Sequence, residues 1–201
     1  GARLSFYMLL FLSLPIITNT HFILELWLKE VPEHTALFVQ LVLVFAMSES
    51  ISTPLVTAML ATGKIRNYQL IVGGLQMMNL PISYVLLRTG CIPETVLIIA
   101  IFISQCCLAA RLFMLRGMIG LKVRSYLKKV YFNVITVSVC AAIIPLYLAY
   151  YSDENFFSFV LLSLLCIFTV SLSVFYIGCT SSERSFVLSK ITQMYHKILH
   201  R

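Results

Sequence analysis

Residues 45–64 read FAMSESISTPLVTAMLATGK. The run is apolar enough for hydrocarbon, yet it holds Glu49 and ends abruptly on Lys64. A helix over residues 36–61 puts Glu49 about 18 Å from either end, at about 1.5 Å per residue. A carboxylate at that depth costs about 2.5–3.5 kcal/mol on insertion scales, and such groups face a wetted cavity or a partner. Ser52, Thr53 and Thr57 follow at helical spacing and share its face, bordered by Phe45 and Val56. Pro54 cannot donate to the Ser50 carbonyl and its ring crowds that oxygen, so a kink is expected. A kink beside a midplane acid is one way to build a cation or proton site. Two readings stay open: Glu49 lines a pathway and couples an ion, or it is protonated and bonds a neighbouring helix.

The rest of the chain has the same character. Sixty per cent of its 201 residues are hydrophobic and 11% are charged, against about a quarter charged in soluble domains. The ruler is therefore the bilayer, about 30 Å of hydrocarbon or roughly 20 helical residues per crossing. Six runs are long enough: 4–26, 36–61, 69–87, 94–115, 130–151 and 156–178. Barrel strands would be about ten residues with strict alternation, so an all-α integral membrane protein with six transmembrane helices is expected. The start GARLSF, without Met or signal peptide, reads as a fragment of a longer protein. The six cysteines show no C-x-x-C spacing and read as small apolar side chains.

Short loops carry the charge. KEVPEH, TGCIP and SDEN punctuate one side, and TGKIRNY and RGMIGLKVRSYLKK the other. Of 15 Lys and Arg, only Lys29 and Arg88 fall on the first side. The positive-inside rule then puts both ends of the chain and the basic loops in the cytoplasm. The net charge of +7 is thus a membrane signature, and nucleic acid is set aside as a partner. Trp27 sits where an interfacial anchor belongs. Residues 117–129 and 182–201 read as basic amphipathic stretches on the inner surface, facing anionic headgroups.

The polar groups are unevenly shared. In the third span Gln69, Gln76 and Ser83 recur every seven residues with Asn79 close by, beside Gly73, Gly74 and Pro81. Interhelical hydrogen bonding and cavity lining both account for them. Gln105 and Arg111 lie in the fourth span, Arg111 about one turn from the basic boundary. It either snorkels to the headgroups or faces an anionic group in a cavity. His21 and Glu25 form an i, i+4 pair near the outer interface. From Val134 to Leu148 and Phe156 to Ile177 only Ser and Thr interrupt the apolar run. The division expected is four cavity-forming helices over 1–116, a basic linker 117–129, two peripheral helices over 130–178 and a basic tail 179–201. The candidate pathway residues are Glu49, Ser52, Thr53, Gln76, Asn79, Gln105 and Arg111. No catalytic, nucleotide or metal motif is present, so neither an enzyme nor a cofactor is expected.

Trp27-Leu28 followed by Pro32, Ala61-Thr62-Gly63-Lys64 with Tyr68-Gln69, and Asn79-Leu80-Pro81 with Tyr84 resemble the C-terminal part of bacterial polysaccharide flippases. These are the O-antigen and capsule transporters of the multidrug/oligosaccharidyl-lipid/polysaccharide exporter superfamily. The resemblance covers most of residues 20–130. It implies helices 9–14 of a 14-helix protein in the bacterial inner membrane, with helices 1–8 as partners. The implied substrate is an oligosaccharide on undecaprenyl diphosphate, flipped by alternating access, with polymerase or glycosyltransferases as further partners. A cation-coupled multidrug or metabolite exporter of the same superfamily, and a non-transporting assembly subunit, are the rival readings.

Overall fold

The computed structural model describes residues 1–28, 30–151, 155–179, 183–185 and 189. Lys29 and most of the expected basic tail lie outside the described residues. The described chain is helical, with no strand. Its elements are α1 (Ala2–Thr18), α2 (Thr20–Trp27), α3 (Thr35–Ala61), α4 (Ile65–Met77), α5 (Asn79–Arg88), α6 (Thr95–Ile119), α7 (Val123–Tyr126), α8 (Asn133–Tyr151) and α9 (Phe156–Ser173). A π-wound stretch, Leu127–Phe132, fuses α7 to α8, and another, Val174–Gly178, extends α9.

Five segments are long and apolar enough to cross a membrane: Thr35–Ala61, Ile65–Arg88, Thr95–Ile119, Val123–Tyr151 and Phe156–Gly178. The first expected span, 4–26, is not one straight helix. It breaks at Asn19, where α1 and α2 bend by 74°. Pro15 lies inside α1, and the cluster Thr18-Asn19-Thr20 supplies what the break needs. Thr20 Oγ1 donates to the carbonyls of Ile16 (2.7 Å) and Ile17 (3.0 Å). Asn19 Nδ2 and Thr18 Oγ1 both donate to the Pro15 carbonyl. Gln40 Nε2 reaches across from α3 to the Ile17 carbonyl at 3.2 Å. Backbone oxygens released in hydrocarbon must find such donors.

Pro54 does not interrupt α3, which is helical from Thr35 to Ala61. The carbonyls around it are well supplied: Met47 by Ser50, Glu49 by Thr53, and Ile51 by Tyr126 from α7. Pro81 does mark a break. It has no N–H for the Met77 carbonyl, and α4 ends there. The α6 helix runs four residues beyond its expected end and stops at Gly120, whose φ of +66° only glycine adopts without strain. The linker 117–129 thus divides between the end of α6, a short turn, and the start of the long Val123–Tyr151 helix.

The helices pack in sequence across the bundle. α1 is central, with α3 on one side and α8 and α9 on the other; α3 packs on α6, and α6 on α4 and α5. Leu10, Met59, Cys107, Leu115, Val137, Ala141 and Cys166 form the contiguous core. The outer surface is apolar: Phe102, Phe113, Phe132, Phe157 and Phe168 are all exposed. A soluble monomer rarely shows such a patch, and a lipid-solvated one does. This is a multi-pass membrane architecture. The apolar final pair, α8 and α9, packs on α1.

Candidate functional site

α3 and α6 are bound at three depths. At their starts, His34 Nδ1 bonds Glu94 Oε1. Near the middle, Ser104 Oγ donates to Glu49 Oε1 at 2.5 Å. At their ends, Thr62 Oγ1 donates to Met118 Sδ at 3.7 Å. The partners are separated by 60, 55 and 56 residues, so the two helices run parallel and nearly in register.

Beside the middle bond a cleft of about 170 Å³ opens, lined by Phe45, Glu49, Gln76, Asn79, Ala100, Ile103 and Ser104. Each helix presents its residues for a local reason. Glu49 is the fifteenth residue of α3, so no helix end supplies its solvation. Gln76 and Asn79 flank the break between α4 and α5, which turns both amides to one side. Asn79 Oδ1 accepts from Ser83 Oγ at 3.2 Å, which fixes the amide's position. Glu49 accepts a hydroxyl proton, the pairing that suits a carboxylate acceptor. The space exceeds what one water needs. The cleft can therefore hold water, a small cation or the polar edge of a ligand.

The other expected residues are dispersed around this cleft. Thr53 is exposed and bonds back to the Glu49 carbonyl at 3.2 Å. Ser52 is fully buried, and its hydroxyl has no hydrogen-bond partner among the described residues. Gln105 turns away from the cleft; its Oε1 accepts from Tyr131 of the π-wound segment at 2.7 Å. Residue 105 lies about 100° round the helix from residue 104, so the cleft receives the serine and the bundle interior the amide. Ser104 itself was not singled out in the sequence, because a lone serine in an apolar span carries no signal.

Arg111 does not snorkel. Its side chain is 3% exposed, because α6 continues eight residues past it to Ile119. Its Nε and Nη1 have no acceptor among the described residues. A long helical side chain leans back over the preceding turn, toward the depth of Ser52. The protein thus buries a guanidinium and a hydroxyl, both unsatisfied, below the cleft. A Cβ added at Gly73 or Gly74 would meet no other helix within 4 Å among the described residues. Their flank of α4, with exposed Gln69 and Gln76, is left uncovered. His21 and Glu25 pair at 3.4 Å, half exposed, as their spacing implied.

Among the described residues no group of three or more His, Cys, Asp or Glu could hold a metal ion. All six cysteines are free. Comparison of the chain with protein-family models, with curated proteins and with solved structures returns no match.

Proposed function

We propose that the chain is the C-terminal portion, helices 9–14, of a bacterial polysaccharide flippase. In this reading it moves undecaprenyl-diphosphate-linked oligosaccharide units across the inner membrane by alternating access. The bent pair α1 and α2 is then one crossing, which makes six, with both ends of the chain in the cytoplasm. The supporting observation is the polar-lined cleft at Glu49, on the flank that helices 1–8 would cover. The exposed polar groups Thr53, Gln69 and Gln76 sit on or near that flank, where lipid is a poor solvent for them. A hydrated passage between two halves relieves that cost. It also lets a sugar head cross while its isoprenoid tail stays in lipid.

One observation favours a second reading within the same superfamily. The cleft is lined by an acid, two amides and an aromatic ring, with no Arg or Lys. That lining suits a cation-coupled exporter, with Glu49 as the proton or sodium site. The flippase reading requires cations, and Arg111 is the one buried among the described residues. A non-transporting assembly subunit needs no open cleft and is the least supported.

The test is surface display of the polysaccharide in cells whose own transporter is deleted and replaced by variants of the intact protein. Glu49→Gln and Gln76→Ala should lower display about tenfold, equivalent to about 1.4 kcal/mol on the limiting step. Unchanged display by both variants, at wild-type protein levels, removes the pathway reading. Loss of drug efflux with display intact selects the exporter.

A further inference from the structure

The geometry points to a binding site for an anionic phospholipid at the basic end of the bundle, between the end of α6 and the π-wound start of α8. Two adjoining hollows carry the inference. The first, about 840 Å³, is lined by Arg116, Lys122, Arg124 and Lys128 together with the Gly120–Val123 turn, and by no acid. None of these four cations is ion-paired to a described residue, and all are exposed. The second, about 490 Å³, is an apolar groove lined by Leu127, Tyr131, Phe132 and Ile135. Arg124 and Lys128 line both hollows, so one opens into the other.

A ligand that fills both must carry negative charge at one end and hydrocarbon at the other. That is the chemistry of an anionic lipid: its phosphate among the cations, one acyl chain laid along α8. A soluble phosphate would leave the groove empty. A zwitterionic lipid would bring its own cation among four others. The depth also fits. The groove starts at the turn where α6 ends and climbs along the long Val123–Tyr151 helix into the apolar zone. The site is independent of what the protein transports; it requires only that the basic end lie at a leaflet containing anionic lipid.

The test uses the intact protein in detergent micelles, with bound lipid counted by native mass spectrometry. Phosphatidylglycerol should be retained about tenfold more than phosphatidylcholine at equal concentration, given the pull of several cations near the surface. Lys122→Gln with Arg124→Gln should erase that preference, while Lys122→Arg with Lys128→Arg keeps it. Phe132→Ala with Ile135→Ala should weaken retention of long-chain phosphatidylglycerol without affecting a short-chain analogue. Lys64→Gln with Arg66→Gln, at the start of α4, should change nothing. Equal retention of the two lipids overturns the proposal. So does an equal loss from the Lys64 and Arg66 pair, which would mean diffuse attraction. Displacement by glycerol 1-phosphate as effective as by short-chain phosphatidylglycerol also overturns it, because the site would then hold a free phosphate.

Discussion

Ser104 on α6 donates its hydroxyl to the carboxylate of Glu49 on α3 across 2.5 Å. The bond joins two parallel helices at the depth where a carboxylate is most costly. It also leaves the second carboxylate oxygen for whatever fills the cleft. Substituting Ser104 by Ala should destabilise the bundle by about 1–2 kcal/mol, because the Glu49 carboxyl oxygen loses its donor. Unfolding in mixed micelles measures this. The double variant with Glu49→Gln should lose less than the sum of the two single changes, since both changes act on the same bond.

Arg111 calls for the opposite sign. A buried guanidinium with unsatisfied N–H groups opposes stability. Arg111→Met should therefore raise the unfolding midpoint, by about 1–3 kcal/mol in free energy. The same variant should lower transport if the cation serves the passage. Higher stability with lower activity is the usual mark of a strained functional group. A variant both less stable and fully active would show Arg111 to be structural.

The break between α1 and α2 rests on shared donors. The Ile17 carbonyl accepts from both Thr20 and Gln40. Thr20→Val or Gln40→Leu alone should cost under about 1 kcal/mol, and the pair together clearly more than their sum. A double-mutant cycle by thermal unfolding reads the coupling.

Gly178 lies against Tyr7. A Cβ there would stand 2.9 Å from the tyrosine ring, and that ring is held by a 2.7 Å bond from its hydroxyl to Asn133. Gly178→Ala should cost about 1–3 kcal/mol through overpacking. Gly74→Ala, with open space around it, should be neutral or gain up to about 1 kcal/mol from helix propensity. Thermal unfolding of the two variants side by side checks the contrast.

Much of this was legible in the sequence, for reasons that differ by element. The ends of α3 follow from Pro32 and from Gly63, whose φ is +71°. The depth of Glu49 followed from counting residues. The elbow at Asn19 was hidden because hydropathy runs unbroken across it, although Pro15 and the Thr18-Asn19-Thr20 cluster are its chemical signature. Gln105 was misplaced because an amide stands out in an apolar run and its neighbour Ser104 does not. Which of two adjacent residues meets a cleft depends on helix rotation, and the rotation of α6 is set by packing against α3. Of the two readings open for Arg111, snorkelling fails because α6 extends to Ile119, and the extra turns remove its route to the headgroups.

The elbow between α1 and α2 has an effect on the solvent around it. α1 alone reaches only about 25 Å at about 1.5 Å per residue, and α2, tipped by 74°, adds little height. Were the pair a single crossing of about 30 Å of hydrocarbon, the little height that α2 adds would leave it slightly short, and the lipid beside it would thin to match. An amphiphile passing there would then meet a shorter barrier than elsewhere in the same leaflet.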